Sequence, residues 1–223
     1  MVSKKTTFVC PHCFEKHKLS EVQFRCANRS CREYDDLEMT KYVNGDLKMP
    51  NQGKKTFTVF MKNTFTVAYS AKCPDCGETT YKHICPSCHN ELPDSTLTSK
   101  DIIVPIVGTL AAGKSHFIGV LVKELRDRIS VSFNGALEGF GDSYQRWERI
   151  YGDKLYLDKL LLPRRDILMP LIFKFKIMKE SLFGNRIDTV TMAFFDFDEN
   201  RFCYENTRHI LINLFLIHLV LFS

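Results

Sequence analysis

The chain has 223 residues, of which 44% are hydrophobic and 26% are charged, a balance that is ordinary for a soluble globular protein. Its net charge of +5 is spread over the chain, with +3 in residues 1–99 and +2 in residues 100–223, so neither half is basic enough to indicate nucleic-acid binding. The amino terminus has no apolar signal-peptide core, and we therefore expect a cytoplasmic protein. Nucleic acid stays open as a partner, although charge does not indicate it.

Eight of the nine cysteines precede residue 90 and form four pairs. Three pairs have two residues between the thiols, a spacing at which a tight turn brings both sulfurs to a tetrahedral Zn²⁺ ion. Regular pairs in the reducing cytosol are more typical of metal binding than of disulfides. We predict about two structural zinc sites, because four thiolates leave no coordination position open for water. The pairs are Cys10 and Cys13, Cys26 and Cys31, Cys73 and Cys76, and Cys85 and Cys88.

Chain order favours a first quartet made by the pairs before residue 32 and a second, zinc-ribbon quartet made by the pairs after residue 72, although pairs can also interleave. Zinc binding is expected to supply most of the folding free energy of so small a domain, on the order of 10 kcal/mol. Four nearby histidines offer alternative ligands, but each quartet is complete without them, and we interpret them as surface residues. They are His12, His17, His83 and His89.

Two β-branched and aromatic runs, residues 56–61 and 64–69, predict a β-hairpin between the cysteine pairs. Residues 93–100 are polar, contain Pro93 and predict a linker. The chain is therefore expected to have a small β-rich zinc-ribbon domain over residues 1–92, with the hairpin inserted, and a second domain over residues 101–223.

The second domain begins with a strand-like run over residues 102–107, then the motif G-x-x-x-x-G-K-S, then a helix-like run. Glycines in this motif let successive N–H groups curl around a phosphate chain. Lys114 adds a cation, and Ser115 offers a hydroxyl to Mg²⁺. Because strand, loop and helix follow in the required order, we predict a nucleotide site that extends to His116. Its loop residues are Gly108, Thr109, Leu110, Ala111, Ala112, Gly113, Lys114 and Ser115.

Further along, residues 144–162 are predicted to be helical in part. Residues 171–177 alternate apolar side chains with lysines and predict a strand with one exposed face. Residues 189–195 predict a buried strand that ends on Asp196. A turn at Gly184-Asn185 joins these strands, so we expect them to pair antiparallel.

The segments F-V-C-P-H-C-F-E, F-R-C, C-P-D-C-G, I-C-P-S-C-H-N-E-L-P and G-T-L-A-A-G-K-S-H-F resemble one bacterial family. It comprises TRAFAC-clade GTPase-domain proteins with N-terminal zinc knuckles, related to the double-GTPases of conflict systems. The resemblance covers most of residues 8–125 and is weaker over 140–223. It implies an α/β P-loop NTPase of the Ras-like type, GTP, Mg²⁺ and a switch-like hydrolytic cycle. It also implies that Ser115 and Asp196 hold Mg²⁺, the latter through water.

The chain departs from the family pattern at three places. The family's D-T-A-G-E is D-F-D-E-N from Asp196 onward, so the glycine that senses the γ-phosphate is absent or displaced. No threonine lies between Thr109 and Thr189 to act as the first-switch Mg²⁺ ligand, and no N-K-x-D motif reads the base. Base specificity, hydrolysis and the catalytic residues therefore stay open.

The apolar run over residues 210–222 resembles the fourth strand of a G domain. At 13 residues, with Asn213 and His218, it is too short and too polar to span a bilayer, so we expect a buried segment and no membrane span. Only the N-terminal part of a GTPase domain is then expected. Its uncovered apolar faces favour a protein partner that completes the fold, or a truncated copy.

Three functions follow from these features. One is Mg²⁺-dependent binding of a purine nucleotide, GTP first, with hydrolysis as a molecular switch if the domain is an active GTPase. Another is a zinc-ribbon binding module whose NTPase half is inactive or a truncated GTPase fragment. A third is an ATPase of another P-loop class, against which the antiparallel second strand argues.

Overall fold

The computed structural model of the protein describes residues 5–43, 47–59, 67–106, 113–158, 169–179 and 186–196. The chain forms two compact units, and the boundary between them in the sequence lies between Thr98 and Ser99. No helix of the described residues is long and apolar enough to cross a membrane. The apolar run over residues 210–222 lies outside the described residues.

The first unit consists of short strands joined by tight turns. In chain order its elements are β1 (Thr7–Val9), β2 (Lys16–Lys18), a 3₁₀ turn (Leu19–Glu21), β3 (Gln23–Arg25), β4 (Glu33–Asp35), α1 (Leu37–Tyr42), β5 (Gln52–Lys54), β6 (Thr56–Phe57), β7 (Ala71–Lys72), β8 (Thr79–Thr80), β9 (His83–Ile84) and α2 (Asp94–Thr98). The central sheet has the order β6-β3-β9 and is antiparallel, while β1 pairs with β2, β4 with β5 and β7 with β8.

Only part of the predicted hairpin over residues 56–69 is described. Thr56 and Phe57 pair with β3 and not with residues 67–69, and residues 60–66, which hold the predicted turn, lie outside the described residues. The Phe57 ring stacks on Phe24 of β3 at a centroid distance of 6.1 Å. Burying two aromatic rings against the core favours this long-range pairing over a local hairpin.

The predicted linker over residues 93–100 contains α2 at its centre, and the boundary between the two units, between Thr98 and Ser99, falls within it. Pro93 accepts a hydrogen bond from the Thr96 N–H at 2.9 Å and so opens the turn. Leu97 is buried in the core of the first unit beside Phe8 and Leu92. Burial of this leucine fixes a segment whose polar composition is typical of a loop.

The second unit contains one four-stranded sheet with helices packed on it. Its elements are β10 (Lys100–Ile106), α3 (Lys114–Glu124) continued by a π-helical turn (Leu125–Ile129) and α4 (Ser130–Ser132), β11 (Gly135–Gly139), α5 (Ser143–Trp147) continued by a π-helical segment (Glu148–Leu157), β12 (Leu171–Lys179) and β13 (Arg186–Asp196). The strand order is β10-β13-β12-β11. β10 and β13 are parallel, and the other neighbours are antiparallel.

Antiparallel pairing of β12 with β13 confirms the prediction for residues 171–177 and 189–195. The partial helix predicted over residues 144–162 is also present, from Ser143 to Leu157. β11 was missed, because its glycines are typical of a loop. A Cβ atom at Gly135 would lie 2.3 Å from the Lys176 carbonyl oxygen, so the close approach of β11 to β12 requires glycine there.

The core of the second unit lies between the sheet and the helices. α3 and the π-helical turn after it contribute Ile118, Val122 and Leu125 to this core, which is completed by Trp147, Tyr151, Leu171, Phe173 and Phe194. Since β10 and β13 are parallel, their carboxyl ends meet at one edge of the sheet, where Ile106 lies opposite Asp196. In the sequence, α3 follows β10, the strand that ends at this edge.

Candidate metal centres and phosphate-binding loop

Three of the four cysteine pairs adopt the same backbone turn. In each, the N–H four residues after the first cysteine donates to the carbonyl of that cysteine, and the N–H of the first cysteine donates to the carbonyl five residues after it, with distances of 2.8 to 3.1 Å. These turns start at Cys10, Cys73 and Cys85 and are called knuckles below. The fourth pair, Cys26 and Cys31, differs. The Asn28 side-chain oxygen accepts the Ser30 N–H at 2.9 Å, and the Asn28 backbone carbonyl accepts the Cys31 N–H.

The residue after the second cysteine of each knuckle has a positive φ. The values are 61° for Phe14, 75° for Gly77 and 54° for His89. Glycine adopts this conformation without steric cost, but phenylalanine and histidine do not. Phe14 is fully buried, so packing of its side chain holds the strained backbone in place.

The cysteines assemble into two groups of four sulfur atoms, each within 4.8 Å of one another. All eight thiols are free. The first group, centre 1, is Cys10, Cys13, Cys85 and Cys88, and the second, centre 2, is Cys26, Cys31, Cys73 and Cys76.

The sulfur spacing fits a tetrahedral ion. Across centre 1 the Sγ–Sγ distances are 3.8 Å from Cys10 to Cys88 and 3.7 Å from Cys13 to Cys85. Across centre 2 the two corresponding distances are 3.6 and 4.0 Å. Sulfurs bound at about 2.3 Å to one zinc ion form a tetrahedron with edges of about 3.8 Å. A disulfide would need about 2.05 Å, so the spacing excludes disulfides between these sulfurs and fits a group that could hold a metal ion.

The grouping corrects the quartets expected from chain order. The outer pairs form centre 1 and the inner pairs form centre 2, so the centres are nested along the chain. β3 and β9 are antiparallel, and Cys26 follows β3 while Cys85 follows β9. The two cysteines therefore lie at opposite ends of the ladder and cannot share one ion.

The two centres differ in burial. All four cysteines of centre 1 are buried, whereas Cys76 of centre 2 is exposed. Burial raises the pKa of the Cys10 thiol, since the apolar surroundings disfavour a thiolate. Burial also acts to raise the pKa of Cys73, but backbone N–H groups of Cys76 and Asp75 lower it to about 7. A cation held inside each group would stabilise several thiolates at once.

The interpretation of the four nearby histidines as surface residues was wrong for His83, which is buried, whereas the other three are half-buried. Their ring nitrogens satisfy carbonyl, carboxylate and sulfur atoms around the knuckles, which is the physical reason for their burial. His17 lies beside centre 1, and its Nε2 is 3.6 Å from the Cys85 Sγ. Burial acts to lower the pKa of His17, but Cys85, Glu15 and Glu21 raise it. The other contacts are His12 Nε2 to Glu91 O at 3.1 Å, His83 Nε2 to Ala68 O at 2.9 Å and His89 Nδ1 to Asp36 Oδ1 at 2.7 Å.

Asp36 connects three parts of the first unit through one buried carboxylate. Its Oδ1 caps α1 by accepting the Met39 N–H at 2.9 Å and also contacts His89 of the third knuckle. Its Oδ2 accepts a hydrogen bond from Arg25, which precedes Cys26. Sequence reasoning missed this residue, although an aspartate immediately before an apolar helical run is a typical N-cap signal.

Replacement of Asp36 by alanine is expected to lower the free energy of unfolding by about 3 kcal/mol, because it removes a helix cap and the charged hydrogen-bond partner of the half-buried Arg25. Glu38→Ala is the matched control, since Glu38 lies in the first turn of the same helix but is exposed and paired with Lys41. It should change stability by less than about 0.5 kcal/mol. Denaturant unfolding followed by circular dichroism measures both, and equal effects would contradict the role of Asp36.

The phosphate-loop motif is described from Gly113 onward. Gly113 has φ 78° and ψ 14°, and α3 begins at Lys114. This left-handed conformation favours glycine and places the next N–H groups at the helix amino terminus. Ser115 and His116 are half-buried in the first turn of α3. The remaining predicted loop residues lie outside the described residues: Gly108, Thr109, Leu110, Ala111 and Ala112.

Asp196, the second predicted Mg²⁺ ligand, is the last residue of β13, and only its backbone position is described. It lies in register with Ile106, the last residue of β10. The strand that leads to the loop and the strand that ends on the aspartate thus finish side by side. The sequence alone did not establish this neighbourhood, because it depends on the parallel pairing of distant strands.

No known protein-family profile matches the chain, and no solved structure matches it. A curated protein of Mycolicibacterium smegmatis (strain ATCC 700084 / mc(2)155), described as a putative ESX-1 scaffolding and assembly protein, SaeC, is 35% identical over 83 residues. The match covers 36% of this chain and 21% of that protein, so the chain spans about a fifth of the relative's length. The similarity is therefore limited to one segment of each protein.

Proposed function

We propose that the chain binds a purine nucleotide, GTP first, with Mg²⁺ at the motif of residues 108–115, and that zinc-filled cysteine centres stabilise its first unit. One observation carries the nucleotide part. A left-handed glycine followed by a helix that begins on Lys114 comes after β10, which ends beside the last residue of β13. This is the order of strand, loop and helix that a P-loop NTPase of the Ras-like type requires.

Each residue of the proposed site has a distinct role. Backbone N–H groups at the start of α3, aided by the helix dipole, bind the phosphate oxygens. Lys114 places a cation at the outer phosphates, and Ser115 offers its hydroxyl to Mg²⁺. Asp196 holds the same ion through water. If the domain also hydrolyses GTP, water would attack the γ-phosphate in line with the leaving GDP oxygen.

The zinc part of the proposal rests on the two tetrahedral groups of sulfur atoms. Four thiolates around each ion close its coordination shell, so the ions serve the fold and not a reaction. The sulfurs are themselves core atoms, since centre 1 belongs to the same buried cluster as Phe8 and Leu92. The ions thus replace the larger apolar core that a unit of this size lacks.

Competition between nucleotides tests the nucleotide proposal. The full chain, loaded with zinc, is titrated with a fluorescent GTP analogue and then with unlabelled GTP or ATP, each with and without Mg²⁺. We expect unlabelled GTP to displace the probe and Mg²⁺ to tighten binding, and the ratio of GTP to ATP displacement measures the base specificity, for which the chain has no N-K-x-D motif. Preference for ATP would indicate another P-loop class. A zinc-loaded chain that binds neither nucleotide would exclude the site.

A second candidate function is a zinc-anchored interaction module that acts without nucleotide. The observation that favours it is the similarity to a protein described as a scaffolding and assembly protein. In this case the chain would contact a protein partner. A mobility shift with DNA or RNA oligonucleotides that weakens steeply with salt would instead identify nucleic acid as the partner.

A further inference from the structure

His17 lies in the middle of β2, opposite Phe8 of β1, and its ring packs on the Phe8 ring at a centroid distance of 5.5 Å. Its side chain is only 10% exposed. The Nε2 atom is 3.6 Å from the Sγ of Cys85, which is a sulfur hydrogen-bond distance. A polar ring is thus held against one sulfur of centre 1.

We propose that His17 is a positioning residue of centre 1, which donates its Nε2 hydrogen to the Cys85 sulfur and protects the bound ion from exchange. The inference rests on the proposed zinc occupancy of centre 1. A hydrogen bond to a metal-bound thiolate withdraws electron density from the sulfur. The sulfur then reacts more slowly with electrophiles, so the zinc ion that alkylation of this sulfur would release is retained longer.

The direction of the hydrogen bond follows from the chemistry of the site. A metal-bound thiolate has no hydrogen and only accepts, so the 3.6 Å contact is favourable when Nε2 carries the hydrogen. Four thiolates around a divalent cation also leave excess negative charge, which a donor offsets.

Three further polar side chains lie near the ring nitrogens, and the Ser87 Oγ atom is 3.4 Å from Nε2, so it is a second neighbour of that nitrogen beside the Cys85 sulfur. A Glu15 carboxylate oxygen is 3.7 Å from Nε2, and a Glu21 carboxylate oxygen is 3.8 Å from Nδ1. Ser87, which lies between the last two cysteines of the centre, donates its hydroxyl to Glu15. These contacts, together with Phe8, hold the ring plane towards the sulfur.

A matched pair of variants separates hydrogen bonding from packing. His17→Gln keeps an N–H donor of similar reach, and His17→Met has a similar shape without a donor. His12→Met is the control, since the His12 ring nitrogen faces the Glu91 carbonyl and not a sulfur side chain. Zinc content is measured first for each purified full-length variant. Alkylation by iodoacetamide is then followed by peptide mass spectrometry at each cysteine, while a chromogenic chelator records zinc release.

We expect alkylation of Cys85 and release of its zinc to be about ten times faster in His17→Met than in the unmodified chain. His17→Gln and His12→Met should remain within about twofold of the unmodified chain, and the cysteines of centre 2 should keep their rates in every variant. Loss of the centre 1 ion in His17→Met alone, with retention in His17→Gln, would be a stronger form of the same result.

Other outcomes would overturn the inference. Two ions per chain with an unchanged Cys85 rate in His17→Met would show that the ring only packs. Equal acceleration or equal loss of zinc in His17→Gln and His17→Met would exclude the hydrogen bond. A third zinc that disappears in both variants would make His17 a direct ligand, in a group with Cys13 and Glu15. A chain that binds no zinc would instead overturn the proposed zinc centres themselves.

Discussion

Removal of zinc is expected to unfold the first unit. Chelation would take away about 10 kcal/mol of folding free energy per centre, and seven of the eight ligand cysteines are buried. Without the ions, the four thiols at each centre would bind protons instead of one shared cation, and the bonds that join distant turns through the metal would be lost. We expect two zinc ions per chain by elemental analysis, and a partial loss of the β-sheet circular dichroism signal when a strong chelator removes them, because the four-stranded sheet of the second unit holds no zinc ligand.

Double substitutions test how the sulfurs are grouped. Cys13→Ser with Cys85→Ser removes two ligands of centre 1 and should leave one ion bound tightly at centre 2. Cys13→Ser with Cys26→Ser removes one ligand from each centre and should weaken both ions. Retention is measured against a competing chelator of known affinity.

Quartets in chain order would reverse this result, because Cys13 and Cys26 would then share an ion and Cys13 and Cys85 would not. A tightly held ion in the Cys13 and Cys26 variant, together with weak binding in the Cys13 and Cys85 variant, would therefore contradict the nested arrangement. A chain that contains no zinc before chelation would contradict the metal centres altogether.

Lys114→Ala is expected to weaken nucleotide binding by about 100-fold. Charge-assisted hydrogen bonds from a lysine to phosphate oxygens contribute about 1.5–3 kcal/mol, and each 1.4 kcal/mol is a tenfold change in Kd. Lys114 is the first residue of α3, so its loss removes the cation at the helix end where the phosphates are proposed to bind. Titration with the fluorescent GTP analogue gives the Kd of each variant.

The matched control is Lys123→Ala. Lys123 lies in the last turn of the same helix and pairs with Asp127, away from the start of α3. Its variant should bind nucleotide like the unmodified chain, and both variants should keep their zinc, because the centres lie in the other unit. Equal Kd values for Lys114→Ala and the unmodified chain would contradict the phosphate-binding role of Lys114.

Local features of this protein are determined by neighbouring residues and could be predicted from the sequence. Two cysteines with two residues between them indicate a knuckle. The hydrogen bonds of this turn join only the first cysteine and the residues four and five positions after it. The helix that starts on Lys114 follows from Gly113, whose left-handed backbone directly precedes the first helical residue. The short interval of sequence between the two strands predicts the antiparallel pairing that β12 and β13 show.

The tertiary structure alone decided how these local parts combine. The grouping of cysteine pairs depends on the antiparallel ladder of β3 and β9, whose strands are far apart in the sequence. The contacts of Asp36 with Arg25 and of His17 with Cys85 likewise join distant segments. The spacing of cysteines in the sequence predicts the local turn that they form. Which two turns come together depends on long-range packing, because burial of side chains outweighs local preference.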